Sequence, residues 1–247
     1  MKMRDLKKNL SFVLLLLSGL TISGCNAASS EYSALKAGQV VSESQASELA
    51  VLDNFKPTRI PEPVWSFMQN RTYKENPYIG RDDLSYLKVL HYDSHGMIHV
   101  GEIVCNKRIA GHLAEIFFEL YQNKYPIEKI MLPDYFDADD EKQMRANNTS
   151  SFCYRTVAGS TVLSHHSRGM AIDINTLYNP FCKIKSDGKL FVQPATAAEY
   201  CNRSGNFSQK IDEQDLAYKL FTKHGFTWGG HWQSLKDYQH FEYDDAK

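Results

Sequence analysis

The chain has 247 residues, of which 43% are hydrophobic and 23% are charged, enough for one domain with a substantial core. Its 28 basic and 29 acidic residues nearly cancel, which gives no electrostatic reason to expect nucleic acid as a partner. Beyond the first 25 residues, no segment of the sequence is apolar enough to span a bilayer.

The first 25 residues have the pattern of an export signal. Four basic residues precede an apolar run over residues 10–20, and Ser23, Gly24 and Cys25 follow it. This order is typical of a secretory signal peptide, and the run is too short for a membrane span. The ending Ile-Ser-Gly-Cys resembles a bacterial lipoprotein box, which implies lipidation of Cys25. An ordinary signal peptide followed by a chance cysteine is the alternative.

These features predict three parts of the chain. Residues 1–24 would be the signal peptide of a lipoprotein that is exported and anchored to a membrane of the bacterial cell envelope through its lipid. Residues 25–56 are rich in Ala, Ser, Glu and Gln and lack an apolar period, which predicts a flexible tether. Residues 57–247 would form one domain, which we expect to be monomeric.

The pattern within this domain favours an α+β fold. Apolar residues recur at helical spacing in residues 108–125 and 212–226, which predicts two amphipathic helices. Residues 96–106, 170–175 and 239–243 have the character of strands. Helices and short strands do not alternate regularly, so the fold class is α+β and not α/β.

Four cysteines remain after residue 25: Cys105, Cys153, Cys182 and Cys201. An even number in an exported chain favours two disulfides, and no Cys-x-x-Cys motif suggests a structural zinc site. The sequence does not fix the connectivity. Our prediction pairs Cys182 with Cys201 and Cys105 with Cys153, and free buried thiols are the alternative.

The stretch Ser-His-His-Ser-Arg-Gly-Met-Ala-Ile-Asp-Ile-Asn, residues 164–175, contains candidate metal ligands. The alternation after Gly169 predicts a strand from which Asp173 projects on the polar side. A histidine upstream of a turn at Gly169 can fold back beside this carboxylate. The spacing alone does not say whether that histidine is His165 or His166.

A second group of candidates lies near the C-terminus, in Asp-Tyr-Gln-His-Phe-Glu-Tyr. His240 and Glu242 share one face of a predicted strand, and Asp237 precedes His240 by three residues, so it must reach that face from a loop or bulge. Two histidines, one carboxylate and an open position for water make a catalytic zinc site. A further carboxylate nearby is the base that such a site needs.

Both motifs resemble those of the zinc D-alanyl-D-alanine carboxypeptidase family, which also includes L-alanyl-D-glutamate endopeptidases of phages and bacilli. Residues 164–173 match its pattern Ser-x-His-x-x-Gly-x-Ala-x-Asp, and residues 237–242 match its Asp-x-x-His-Phe-Glu. Residues 225–232, Gly-Phe-Thr-Trp-Gly-Gly-His-Trp, are similar to its Gly-Trp-Gly-Gly-Asp-Trp segment. The resemblance extends over residues 57–247 and is most specific over 154–179 and 225–243.

The resemblance implies a small antiparallel sheet that carries the metal and is flanked by helices. It implies that His166, Asp173 and His240 bind one Zn²⁺ per chain and that Asp237 is the general base. His166, and not His165, then occupies the ligand position.

The resemblance also assigns residues around the metal. Arg155 matches an upstream arginine that contacts substrate, and a surface salt bridge is the alternative. Ser164 would either contact substrate or shape the turn before His166. His231 stands where the family usually has aspartate, and Trp228 and Trp232 would either line the cleft or pack in the core.

The function implied is hydrolysis of peptidoglycan stem peptides, with D-alanyl-D-alanine carboxypeptidase activity favoured. An L-alanyl-D-glutamate endopeptidase uses the same zinc chemistry on a different bond. A catalytically silent zinc module that binds cell wall is a second alternative, but such a module would not need the base Asp237. The motifs disfavour a general surface protease.

Overall fold

The computed structural model describes residue 32 and residues 34–157 and 160–244. The predicted signal peptide and Cys25 lie outside the described residues. The α-helices, in chain order, are α1 (Glu43–Leu49), α2 (Glu62–Met68), α3 (Lys107–Gln122), α4 (Asp140–Arg145) and α5 (Leu216–Lys223). The strands are β1 (Val40–Val41), β2 (Leu84–Tyr92), β3 (Ile98–Asn106), β4 (Lys129–Ile130), β5 (Asn148–Thr149), β6 (Ala171–Asp173), β7 (Phe181–Ile184), β8 (Leu190–Gln193), β9 (Thr227–Trp228), β10 (Lys236–Asp237) and β11 (His240–Glu242).

The longest strands, β2 and β3, form an antiparallel pair, and β1 pairs antiparallel with the other edge of β3. Helix α3 packs across β2, because its apolar residues recur at helical spacing and form one buried face. Asn106 caps this helix by accepting a hydrogen bond from the backbone N–H of Arg108. The amphipathic helix predicted over residues 108–125 is therefore confirmed.

A second antiparallel sheet has the order β6-β11-β9. Helix α5 packs behind it, with the ring of Phe221 stacked on Phe241 at 4.5 Å between centroids. Asp215 caps α5 by accepting from the backbone N–H groups of Ala217 and Tyr218. The strands and the second helix predicted here are confirmed, and the small antiparallel sheets with flanking helices make the fold α+β, as predicted.

The segment before residue 57 is more ordered than a flexible tether. Ser42 and Gln45 form a capping box at the start of α1, and β1 pairs with β3. Five residues of this segment are buried in the main core: Tyr32, Val41, Ala46, Leu49 and Phe55. The packed domain therefore begins before residue 57, because a few well-spaced apolar side chains are enough to hold this segment against the core.

The cysteine predictions have opposite outcomes. Cys182 and Cys201 form a disulfide that links β7 to the 3₁₀ segment Ala195–Cys201, as predicted. The predicted Cys105–Cys153 bond is wrong, since both cysteines are free thiols. Both are buried in apolar surroundings, where a thiol packs as a small hydrophobic group without a bond.

Within the described part of the chain, no helix combines the length and apolar character that crossing a membrane requires.

Candidate metal centre

A tight turn before β6 positions the first candidate ligand. The side-chain oxygen of Ser164 accepts from the backbone N–H of His166 and caps the 3₁₀ segment His165–Arg168. Gly169 ends this segment with φ of +65°, and a Cβ at this residue would lie 2.6 Å from the backbone nitrogen of Asn106. Only glycine fits both the left-handed conformation and this close approach, so the turn directs His166 back towards β6.

The pairing of β6 with β11 positions the other two ligands. His240 stands directly opposite Asp173 in this antiparallel ladder. Side chains of directly opposed residues point to the same face, so the register itself brings the imidazole to the carboxylate. Nδ1 of His240 lies 3.0 Å from Oδ1 of Asp173.

His166, Asp173 and His240 form one compact cluster. Nε2 of His166 lies 3.2 Å from Nδ1 of His240 and 3.2 Å from Oδ2 of Asp173. All three side chains are largely withdrawn from solvent, with exposed fractions of 5%, 16% and 8% respectively. Among the described residues, this is the one group of three or more His, Cys, Asp or Glu side chains with the spacing of a metal site.

Neighbouring groups in this cluster shift the pKa values of Asp173 and His240. Burial opposes ionisation of Asp173, but the charges and hydrogen bonds of His166 and His240 outweigh it and hold the pKa of this carboxyl well below its usual range. Burial likewise opposes protonation of His240, but hydrogen bonds to Asp173 and Glu242 raise its pKa to about 10. These shifts favour the ionic form of the pair, and the attraction between the two charges offsets the cost of burying them.

The donor set fits zinc. Ligands at the usual Zn–N and Zn–O distances of about 2.0–2.1 Å are about 3.3 Å apart in a tetrahedral site. Here the two imidazole nitrogens are 3.2 Å apart, and each lies 3.0–3.2 Å from one of the two carboxylate oxygens of Asp173. Two imidazoles and one carboxylate are also the ligand types that catalytic zinc sites use.

The backbone carbonyl of Ser151 orients His166. Its oxygen lies 2.6 Å from Nδ1 of His166 and can only accept a hydrogen bond. Nδ1 therefore carries the proton in the neutral ring, and the lone pair of Nε2 faces the cluster. The sequence contained no signal for this contact, because a backbone carbonyl belongs to every residue.

Asp237 lies at the end of β10, beside the cluster but outside it. The chain leaves β10 after Asp237 and enters β11 at His240, so the two side chains need not follow the alternation of a single strand. Gly229 permits this arrangement, because a Cβ there would lie 2.6 Å from the carbonyl oxygen of Asp237 and 3.3 Å from Cβ of His240.

Burial and several neighbouring side chains set the pKa of Asp237. The amide of Gln239 donates to its Oδ1 at 3.1 Å, a contact that sequence reasoning did not anticipate. Burial raises the pKa of Asp237 to about 6, with the charge of His240 opposing this shift and that of Asp173 adding to it. A carboxylate whose pKa lies this close to neutrality is suited to accept and return a proton.

Arg155 lies at the edge of the cluster. Its Nε is 2.9 Å from Oδ2 of Asp140, and its side chain is 30% exposed. Burial would lower its pKa, but the charges of Asp140, Asp173 and Asp237 raise it. The guanidinium thus stays positive within electrostatic range of the candidate ligand and the candidate base, and Asp140 at the start of α4 is a partner that sequence reasoning missed.

The other residues that the sequence singled out as candidates lie in different surroundings. Trp228 is buried, and its indole N–H donates to the carbonyl of Tyr238, so it packs in the core. Trp232 is half-buried with its ring centroid 5.3 Å from that of His240, so it borders the cluster. His231 is exposed, lies 3.1 Å from Glu213 and is not part of the cluster of three candidate ligands. The hydroxyl of Ser164 serves as the cap described above.

The cluster and the carboxylate of Asp237 beside it form a candidate metal centre with a candidate acid–base group. A family model described as D-alanyl-D-alanine carboxypeptidase matches residues 158–243, which include all three candidate ligands and Asp237. The match supports a peptidase. Neither a curated protein nor a solved structure matches the chain.

Proposed function

We propose that this protein is a zinc peptidase that hydrolyses the stem peptides of peptidoglycan, acting as a D-alanyl-D-alanine carboxypeptidase. The observation that carries the proposal is the buried cluster of His166, Asp173 and His240 with a separate carboxylate, Asp237, beside it. A zinc module without catalytic activity would have no need for that fourth group.

His166, Asp173 and His240 would hold the metal. When bound, zinc supplies a Lewis acid that polarises the scissile carbonyl and lowers the pKa of the attacking water towards about 7. Asp237 accepts the proton as the water attacks the carbonyl carbon, and then passes it to the leaving amine. Asp237 does not need to bind the metal in this scheme.

Arg155 would bind the negative charge of the substrate. Its planar guanidinium suits either the terminal carboxylate of a D-alanyl-D-alanine peptide or the oxyanion that develops during attack. The ion pair with Asp140 holds the guanidinium near the cluster, so less side-chain freedom is lost when substrate binds. Trp232 would form the adjoining wall of the cleft.

We also propose that the protein is exported and anchored to the cell envelope through a lipid on Cys25, which would keep the enzyme near peptidoglycan. The basic, apolar and small-residue order of residues 1–25 supports this location. A monomer with one zinc ion per chain is the form that we expect.

The proposed function is tested by digesting purified muropeptides that end in D-Ala-D-Ala and measuring product masses, with a chelator-treated sample beside the zinc-loaded one. We expect the loss of one terminal alanine in the zinc-loaded sample alone. Cleavage between L-Ala and D-Glu would instead establish the endopeptidase. Unchanged masses with retained binding to the muropeptides would establish a silent cell-wall module.

A further inference from the structure

His240 contacts a carboxylate at each of its two ring nitrogens. Nδ1 faces Asp173 at 3.0 Å, and Nε2 lies 3.1 Å from Oε2 of Glu242. Residues 240 and 242 occupy alternate positions of β11, so both side chains lie on the same face of the sheet. The imidazole is therefore held between a carboxylate of the cluster and a carboxylate outside it.

The contact with Glu242 determines which ring nitrogen carries the proton. An ionised carboxylate can only accept hydrogen bonds, so Nε2–H of His240 is the donor. If a metal took the place of the proton that Nδ1 shares with Asp173, the ring would keep its one proton on Nε2 and turn the lone pair of Nδ1 to the cluster, where Nδ1 lies 3.2 Å from Nε2 of His166. The carbonyl of Ser151 performs the same task for His166, so each imidazole is fixed from its outer side.

We propose that Glu242 is a positioning residue that fixes the tautomer and the direction of His240 and thereby sets the zinc affinity of the site. The proposal rests on the proposed function in that the cluster must hold a metal. Metal-binding histidines usually donate their other N–H to a carboxylate or carbonyl, and loss of such a partner lowers metal affinity about 10–100-fold.

The same carboxylate also accounts for the position of His165. Nε2 of His165 lies 3.7 Å from Oε2 of Glu242, and 42% of its side chain is exposed. The two adjacent histidines thus differ in their surroundings: His166 turns inwards to the cluster, whereas His165 reaches the outer side of the group that holds His240. His165 is not needed to hold the ring, because Glu242 contacts His240 directly.

The chain offers a matched control for testing the role of Glu242 by mutation. Glu213 pairs with Nε2 of His231 at 3.1 Å, the same separation as in the Glu242–His240 pair, but both partners are more than half exposed and lie outside the cluster. Glu213→Ala therefore removes a glutamate–histidine contact of equal length without changing the surroundings of the candidate ligands.

The test is zinc affinity, measured by competition with a fluorescent chelator in the absence of substrate. We expect Glu242→Ala to weaken zinc binding about 10–100-fold. Glu242→Gln should recover most of the affinity, because its amide oxygen can still accept from Nε2–H, and Glu213→Ala should match the wild type. Circular dichroism establishes that each variant is folded, and Glu242→Gln keeps the test valid if Glu242→Ala does not fold.

Two outcomes would overturn the positioning role. One is a folded Glu242→Ala protein with wild-type zinc affinity. The other is a Glu242→Gln protein whose zinc affinity is lowered about 10–100-fold, as expected for Glu242→Ala. Failure of the proposed function would look different, because wild-type protein would then bind no zinc or would bind it without hydrolysing muropeptides.

Discussion

Nδ1 of His240 lies 3.0 Å from Oδ1 of Asp173, and the two residues stand directly opposite each other on β11 and β6. The candidate metal centre is therefore a consequence of strand register. A slip of one residue would turn His240 to the other face of the sheet and place Phe241, now fully buried against Phe221, towards solvent. The same apolar packing that stabilises the sheet thus fixes the positions of two candidate ligands.

Asp237→Ala should keep the fold and the zinc but lose most turnover, with kcat lowered about 10²–10⁴-fold, the usual contribution of an acid–base group. The reason is that Asp237 lies outside the cluster of three candidate ligands, and in the proposed mechanism it only transfers the proton. Zinc content measured beside muropeptide hydrolysis checks this. Near wild-type turnover would remove Asp237 from the role of base, and loss of zinc would instead make it a ligand.

The pH dependence of kcat follows from the same residue. Burial raises the pKa of Asp237 to about 6, and a bound cation lowers a carboxylate pKa, so the acid limb of activity should lie at or below about pH 6. The sign is fixed because only the ionised carboxylate accepts a proton: activity falls as pH drops through this range. Zinc content is measured at each pH to separate this loss from metal release, and an acid limb above about pH 7 at constant zinc would contradict the assignment.

The cysteines give a prediction about stability. The Cys182–Cys201 bond spans 19 residues, so replacing both cysteines by serine should lower the free energy of unfolding by about 2–4 kcal/mol. Denaturant unfolding of the double variant beside the wild type measures the difference. A change below about 0.5 kcal/mol would mean that the bond does not restrain the unfolded chain as expected.

Cys105 and Cys153 give a separate prediction about thiol reactivity. Burial raises the pKa of both thiols, to about 12 for Cys153, so neither should react with an alkylating reagent in the folded protein. In unreduced Cys25→Ser protein both should be alkylated once denaturant is added. Failure to label them after denaturation would mean that they are bonded to each other.

The anchor is tested by cell fractionation. If Cys25 is lipidated, the wild-type protein should partition with membranes, whereas Cys25→Ser should be released or remain unprocessed, because the lipid is the only attachment that the proposal includes. Immunoblots of membrane and soluble fractions give the answer. A wild-type protein found in the soluble fraction alone would contradict lipid anchoring.

The sequence was informative wherever periodicity or a motif reports directly on packing. Helices α3 and α5 have complete apolar faces, and β6 and β11 alternate, so their existence could be predicted. The segment 40–55 was misjudged because its buried residues are sparse and α1 is short. The capping box of Ser42 and Gln45 was the available signal for that helix.

The candidate ligands could be predicted from the sequence, whereas the residues that support them could not. His166, Asp173, His240 and Asp237 were singled out by two motifs and by the family resemblance that those motifs carry, and the structure brings all four together. The carbonyl of Ser151 and the side chains of Asp140 and Gln239 support the site through tertiary contacts that spacing does not encode. The even number of cysteines also favoured a second disulfide. Cys105 and Cys153 are instead buried as free thiols, which the number of cysteines does not reveal.

The central claim is that His166, and not its neighbour, binds the catalytic metal. Zinc content of purified His166→Ala and His165→Ala proteins, measured side by side with the wild type, tests it most directly. Nε2 of His166 lies 3.2 Å from Asp173 and from His240, whereas His165 reaches only Glu242. We therefore expect His165→Ala to keep about one zinc per chain and His166→Ala to lose it. The reverse result, or full zinc content in both variants, would contradict the proposed metal centre.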